Sequence, residues 1–175
     1  MDKIIQFILE FWQDIKPFMF VQQYKKGVHL RFGKFLRILE PGLHFKIPFI
    51  DEYILEYVKH DTMTIGAVNV TTLDGQSIIV DGQFGLEVDD IELALIETND
   101  WRSNLKDKSK GVLSDILEDK NWEDIRKKVT KNAIEKKIIE HAEKMGVIVY
   151  DFTFTDKVMV RSIKLHGNVI NTTNG

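Results

Sequence analysis

The sequence predicts an α+β domain: an antiparallel β-meander, then helices, then a returning strand, the whole preceded by an amphipathic helix. Three observations lead there. Ile78–Val88 alternates Ile78, Val80, Phe84, Leu86 and Val88 with Asp81, Gln83 and Glu87, the period-two pattern of a strand with one buried and one wet face. Beyond Asp89 the apolar period lengthens to that of helices. After Gly146, the run VIVYDFTF (Val147 to Phe154) returns to strand chemistry.

Taken in order, residues 1–17 form the first element. At 100° per residue, Ile4, Ile5, Phe7, Ile8, Leu9, Phe11, Trp12 and Ile15 share one broad arc, with Asp2, Lys3, Gln6, Glu10, Gln13 and Asp14 opposite. Pro17 ends the helix, because it has no N–H and disfavours helical geometry at Lys16. A spanning helix needs ~20 predominantly apolar residues, and the charges at positions 2, 3, 10, 14 and 16 interrupt this one. It also lacks the basic start and small-residue cleavage site of a signal peptide, so it is expected to be retained. Two readings stay open: a helix lying in a membrane interface, and a helix packing on the domain or on a neighbouring subunit. The apolar arc continues past the proline into Phe18 and Phe20.

Strands follow. Phe18–Tyr24 and Val28–Phe32 flank Lys25-Lys26-Gly27, read as a turn. Pro41-Gly42 is a turn dipeptide, proline presetting one position and glycine taking positive φ at the next. Leu43, Phe45 and Ile47 then share one face, with His44 and Lys46 on the other, and Tyr53–His60 is a further strand. Leu73-Asp74-Gly75 is a hairpin-type turn before the clearest strand. Ile91–Thr98 and Trp101–Glu118 read as helical. Asn121 reads as the cap of another helix beginning at Trp122, with Glu123 and Asp124 in its first turn. Ile134, Ile138, His141 or Ala142, and Met145 form its apolar stripe, stopped by Gly146. Residues 165–175 read as a polar tail, leaving 18–164 as the folded domain.

Composition limits what such a domain does. A chain of 175 residues, 43% hydrophobic and 29% charged, supports a real core. A formal charge of -3 gives no global field for nucleic acid, and none is expected as a partner. The absence of cysteine excludes disulfides, thiol nucleophiles and thiolate metal sites. His29, His44, His60, His141 and His166 are scattered with no HExxH or other metal spacing, and read as surface or half-buried residues. Asp74 reads as a turn former and Asp81 as solvent-facing; neither Asp-Gly pair is followed by a phosphate-loop Lys-Ser/Thr. No serine sits in a GxSxG elbow. No catalytic residue, cofactor or metal is expected, and an enzyme is not the reading.

The runs GVHLRFGKFLRILEPGLHFKIPFID (Gly27 to Asp51), TLDGQSIIVDGQFGLEV (Thr72 to Val88) and EKMGVIVYDFTF (Glu143 to Phe154) resemble the SPFH or band 7 domain of stomatins, prohibitins, flotillins and HflK/HflC. The resemblance covers roughly Phe20 to Lys164. It implies a non-enzymatic, membrane-associated scaffold that assembles side by side and organises lipids or regulates a membrane protein or protease. It also implies that the PGLHFKIPF region lies nearest the bilayer. Leu43, Phe45, Ile47, Phe49 and Ile50 are then core or membrane-facing, and His44 is a strand residue on the polar side. Members continue from the last strand into a long Ala/Glu-rich helix and begin with a long apolar anchor; this sequence reads as a short form without either, with peripheral or monotopic attachment.

The charged stretch near the helices, with Arg126, Lys127, Lys128 and Lys131 among Glu123, Asp124, Glu135 and Glu140, is a solvated face with i,i+4 pairs or a charge-complementary contact between subunits of a homo-oligomer. The competing function is a soluble ring or shell subunit of a larger, phage-type assembly, with the first helix packed on a neighbour.

Overall fold

The structure, a computed structural model, describes residues 17–160. It is α+β, with antiparallel strands followed by helices and a returning strand. The strands are β1 (Phe18–Val21), β2 (Lys25–Arg31), β3 (Lys34–Leu39), β4 (Gly42–Phe45), β5 (Asp51–Tyr57), β6 (Asp61–Thr64), β7 (Val68–Thr71) and β8 (Ser77–Val88). Next come α1 (Leu93–Glu97, a π-helical turn), α2 (Trp101–Glu118), α3 (Trp122–Ile125) and α4 (Lys128–Glu143), and then β9 (Val147–Met159).

Strand β8 is the spine, because its alternation holds along its full length. Ile78, Val80, Gly82, Phe84, Leu86 and Val88 are all buried, with half-buried or exposed residues between them. Strands β6 and β7 pair with successive stretches of one of its edges, and β9 pairs with the other. The buried face packs on Trp101, Leu105, Leu113 and Leu117 of α2 and on Ile134, Ile138 and Ala142 of α4. Close approach needs glycine at one point here, since a Cβ on Gly85 would lie 2.1 Å from the Tyr150 ring.

The other half holds β3-β2-β5 in one sheet and β1-β4 in a ladder of its own. Val21, Val28 and Leu39 are fully buried here, outside the main core cluster. Arg102 of α2 ties the halves together, one guanidinium nitrogen 3.1 Å from Glu56 of β5 and another 3.0 Å from Asp61 of β6. The Val58 N–H donating to Tyr24 O at 3.2 Å adds a backbone tie at the end of β5.

Several expectations change. Lys25-Lys26-Gly27 opens β2, and the turn falls at Gln23 and Tyr24. Gly27 is small for another reason: a Cβ there would sit 2.2 Å from Ile54 O across the β2–β5 pair. Strands β6 and β7 escape the periodicity argument because each is four residues long and rich in Asp, Thr and Asn. The helix begun at Trp122 is two helices, broken where Lys127 turns extended at φ -78°, ψ 146°. Asn121 makes no side-chain cap; the Trp122 N–H reaches Asp74 Oδ1 at 3.4 Å instead. Asp81 is half-buried, accepting from the N–H groups of Gly66 (3.0 Å) and Gly82 (2.7 Å), where the β8–β9 register shifts. Gly146 is the helix stop with φ 70°, and its carbonyl accepts from both Asp89 and Asp90.

Truncating Phe84, fully buried on the spine, to alanine is expected to cost about 3–5 kcal/mol of unfolding free energy in urea melts. Gly27→Ala is expected to cost about 1–3 kcal/mol by the same measurement, as overpacking forces β2 and β5 apart.

Candidate functional site

Strands β1 and β4 pair Phe18 with Phe45 and Phe20 with Leu43. Alternation therefore puts all four side chains on one face of the ladder, and all four are exposed: 59% and 68% for the β1 pair, 67% for Leu43 and 54% for Phe45. Phe18 and Phe45 meet edge to face, ring centroids 5.7 Å apart. The opposite face, Met19, Val21 and His44, is turned in and half-buried or buried. His44 Nε2 sits 2.6 Å from Glu40 O. The alternation expected along Leu43–Lys46 holds: Leu43 and Phe45 face out, and His44, expected on the polar side, is half-buried.

Two further phenylalanines stand nearby on loops. Phe32, in the β2–β3 turn, has φ 51° and is 76% exposed; Phe49, between β4 and β5, has φ 66° and is 87% exposed. Left-handed geometry costs a residue with a Cβ roughly 1 kcal/mol or more, so neither loop relaxes on its own. The Phe32 N–H donates to Ile50 O at 3.0 Å, which binds the two loops together. Of the residues expected to be core or membrane-facing, Leu43, Phe45 and Phe49 are thus not core. Ile47 and Ile50 are half-buried.

Asp51 sets this geometry. Its carboxylate is buried at the start of β5 and accepts two hydrogen bonds from Arg31, Nε at 2.8 Å and Nη2 at 3.1 Å. It also accepts the Ile47 N–H at 2.9 Å, closing the loop that carries Phe49. His29 Nε2 lies 3.1 Å from Asp51 Oδ1, and its ring sits edge-on to Tyr53. The Arg31 hydrogen bonds, opposed by desolvation and helped by the Ile47 N–H and His29, hold the Asp51 carboxyl well below the usual carboxylate range.

The surface-or-half-buried expectation fails for His29, which is 1% exposed. Nothing in its sequence neighbourhood marks it; a polar residue in a strand with sheet on both sides is buried when a carboxylate arrives from 22 positions away. The remaining histidines are not brought together. His60 is exposed against Tyr150 and Glu87, His141 is half-buried on α4, and His166 lies outside the described residues. Among the described residues no cluster of His, Asp and Glu is placed to hold a metal ion, and no helix is long and apolar enough to cross a membrane. Ile4, Ile5, Phe7, Ile8, Leu9, Phe11, Trp12 and Ile15 also lie outside the described residues.

Of the charged candidates, Asp124 pairs with Lys127 at 2.5 Å, which lowers the Asp124 carboxyl and raises the Lys127 amine. The Glu135 carboxylate accepts the Phe152 N–H at 3.2 Å. Glu123, Arg126, Lys128 and Glu140 are exposed, and Lys131 is half-buried.

This order of elements, with the RFGK and PGLHFKIPF segments at one end and the Asp-Gly hairpin leading into β8, coincides with a family match. The profile of the SPFH domain / Band 7 family covers residues 19–169. The chain belongs to the SPFH/Band 7 family. It is 34% identical over 85 residues to a protein of Escherichia coli K12 named Modulator of FtsH protease HflC, an overlap of 45% of this chain and 25% of that one. An uncharacterised protein of Methanocaldococcus jannaschii is 25% identical over 126 residues, 72% of this chain and 62% of that one. A stomatin-like protein of Caenorhabditis elegans is 36% identical over 72 residues, 41% and 22% of the two chains. The overlap with each of these relatives is less than two thirds of the relative's own length.

The Asp51 shift has a sign that is testable. An unfolded aspartate titrates near ~3.9 and the folded one lower, so the carboxylate's contribution to stability is complete well above that value and is lost as pH falls below it. The difference in unfolding free energy between the wild type and Asp51→Asn is expected to stay constant above about pH 5 and to narrow below about pH 4. Urea melts across that range measure it.

Proposed function

We propose that this chain is a non-enzymatic, membrane-associated regulatory scaffold that meets the bilayer with its apolar edge. The supporting observation is that edge itself: Phe18, Phe20, Leu43 and Phe45 on one ladder face, and Phe32 and Phe49 on two loops joined by the Phe32 N–H to Ile50 O bond, all exposed. Isolated exposed apolar residues are ordinary, whereas contiguous ones mark an interaction surface. An edge of aromatic residues with Lys34 and Lys46 close in sequence suits the depth at which peripheral proteins enter the headgroup boundary. Residues 1–17, read from the sequence as an amphipathic helix leading directly into Phe18, add a second apolar element to the same end of the chain.

In this reading the domain associates with copies of itself and acts on a membrane protein. The name of the E. coli relative, a modulator of a protease, makes a protease one candidate for that role. The assignment is made on the edge geometry; the partner is proposed by analogy alone.

Liposome flotation of the full chain tests it. Phe45→Ser and Phe49→Ser each remove an exposed side chain, so the fold is expected to survive, as checked by circular dichroism. Each is expected to lower the liposome partition coefficient about tenfold, the equivalent of losing one partly buried aromatic at ~1.5 kcal/mol. Partitioning that is unchanged in the double variant overturns the edge as the membrane contact.

A further inference from the structure

The β1–β5 half and the helical half meet with little packing between them. Among the described residues, every pair of elements that packs extensively lies within one half: β2 with β3 and β5 on one side, for example, and β8 with β6, β7 and β9 or α2 with α4 on the other. Their cores are separate as well, since Val21, Val28 and Leu39 lie outside the cluster that lines β8, α2 and α4. Beside Arg102 the boundary opens into a cavity of about 400 Å³, lined by residues 94–102 of the helical half and, from the β1–β5 half, by Glu56 alone. Units that share no large apolar interface turn relative to one another unless something else holds them.

The chain crosses from one half to the other through residues 58–60, since β5 ends at Tyr57 and β6 begins at Asp61. Val58 is the pivot: its N–H donates to Tyr24 O at 3.2 Å in the β1–β5 half, while its side chain packs on the helical core. Lys59 and His60 are exposed, and His60 Nδ1, 2.8 Å from the Tyr150 hydroxyl and 3.2 Å from Glu87, belongs with the helical half. The side-chain bridge across the boundary is Arg102 Nη2 to Glu56 at 3.1 Å. Its Nη1 donates to Asp61 at 3.0 Å inside the helical half, and the guanidinium lies 4.5 Å over the ring of Trp101, which is 3% exposed. Asp61 and Trp101 therefore hold the cation in place from the helical side, and Glu56 is the group that the β1–β5 half brings to it.

We propose that residues 58–60 are a hinge and that Arg102 and Glu56 are its latch, fixing the angle between the β1–β5 half and the helices. Hinges are short segments at the ends of elements that absorb backbone rotation, and they need not contain glycine. Opening this one leaves the strand pairing and the core of each half intact, because the ladders β2–β5 and β6–β8 lie on opposite sides of it. The latch sits where rotation about Val58 separates its two partners, with the cavity beside it giving Arg102 room to let go. Where the apolar edge meets a bilayer, the same angle sets how the helices stand over the surface. That consequence rests on the membrane reading above; the hinge itself does not.

The chain has no cysteine, so spin labels on engineered thiols report only the chosen positions. Leu36→Cys on β3 with Lys108→Cys on α2, both exposed, reads across the hinge; Lys108→Cys with Lys136→Cys on α4 reads within the helical half. Distances are measured by pulsed electron paramagnetic resonance on the full chain without lipid, with labelled molecules diluted into unlabelled ones so that each distance belongs to one molecule. Glu56→Gln keeps the shape and removes the charge, and is expected to broaden the cross-hinge distance distribution while the helical pair stays as it was. Asp61→Asn removes only the bond inside the helical half and is expected to leave the cross-hinge distribution narrow. A cross-hinge distribution that Glu56→Gln does not change overturns the proposal. So does broadening of both label pairs together, which reports a general loosening of the fold, or broadening by Asp61→Asn equal to that by Glu56→Gln. With no lipid present, the hinge stands or falls separately from the membrane contact, which flotation tests.

Discussion

A carboxylate with almost no access to water holds the apolar end of this domain in shape. Burying an ionised aspartate is costly unless paired hydrogen bonds replace its hydration. Asp51 meets that condition with the forked guanidinium of Arg31 and the Ile47 N–H. Those donors come from β2 and from the β4–β5 loop, so satisfying one charge brings two chain segments into register. The hydrophobic effect alone drives Phe49 inward; the short tether from Ile47 to Asp51 leaves its loop no room to do so. What looks like an energetic liability is the device that displays aromatic side chains to the outside.

The two halves of the molecule are stabilised by different means. The helical half buries a continuous apolar face along β8 against α2 and α4, the ordinary solution for a sheet covered on one side. The β1–β5 half has a thin core of Val21, Val28 and Leu39 and leans on polar links: Asp51 within it, and Arg102 reaching back from α2 to Glu56 and Asp61. A thin core is the counterpart of an exposed edge, since residues turned outward on the β1–β4 ladder are unavailable to fill it.

How much of this was legible depended on the range of the interaction. The β8 alternation, the α4 stripe and the Gly146 stop are local patterns, and the residues that carry them sit as the periodicities require. The PGLHFKIPF alternation was also readable, but not its direction: period two says which residues share a face, not which face is wet. Asp51 with His29 and Arg31 could not be read at all, because polar residues on two separate strands become a unit only when β2 and β5 pair. The same holds for Asp81, whose bonds to Gly66 and Gly82 depend on a register shift between strands, and for Gln23 and Tyr24, where a turn displaced the expected Lys-Lys-Gly.

The left-handed phenylalanines bear on how such a protein changes under selection. Glycine at 32 or 49 would relieve the backbone without removing any core contact, and asparagine would tolerate the conformation better than phenylalanine does. A screen that rewards only thermal resistance is therefore free to drift toward small residues at these two positions, whereas one that rewards surface attachment has to retain the aromatic rings. The conformational strain at Phe32 and Phe49 makes the two objectives separable at single sites.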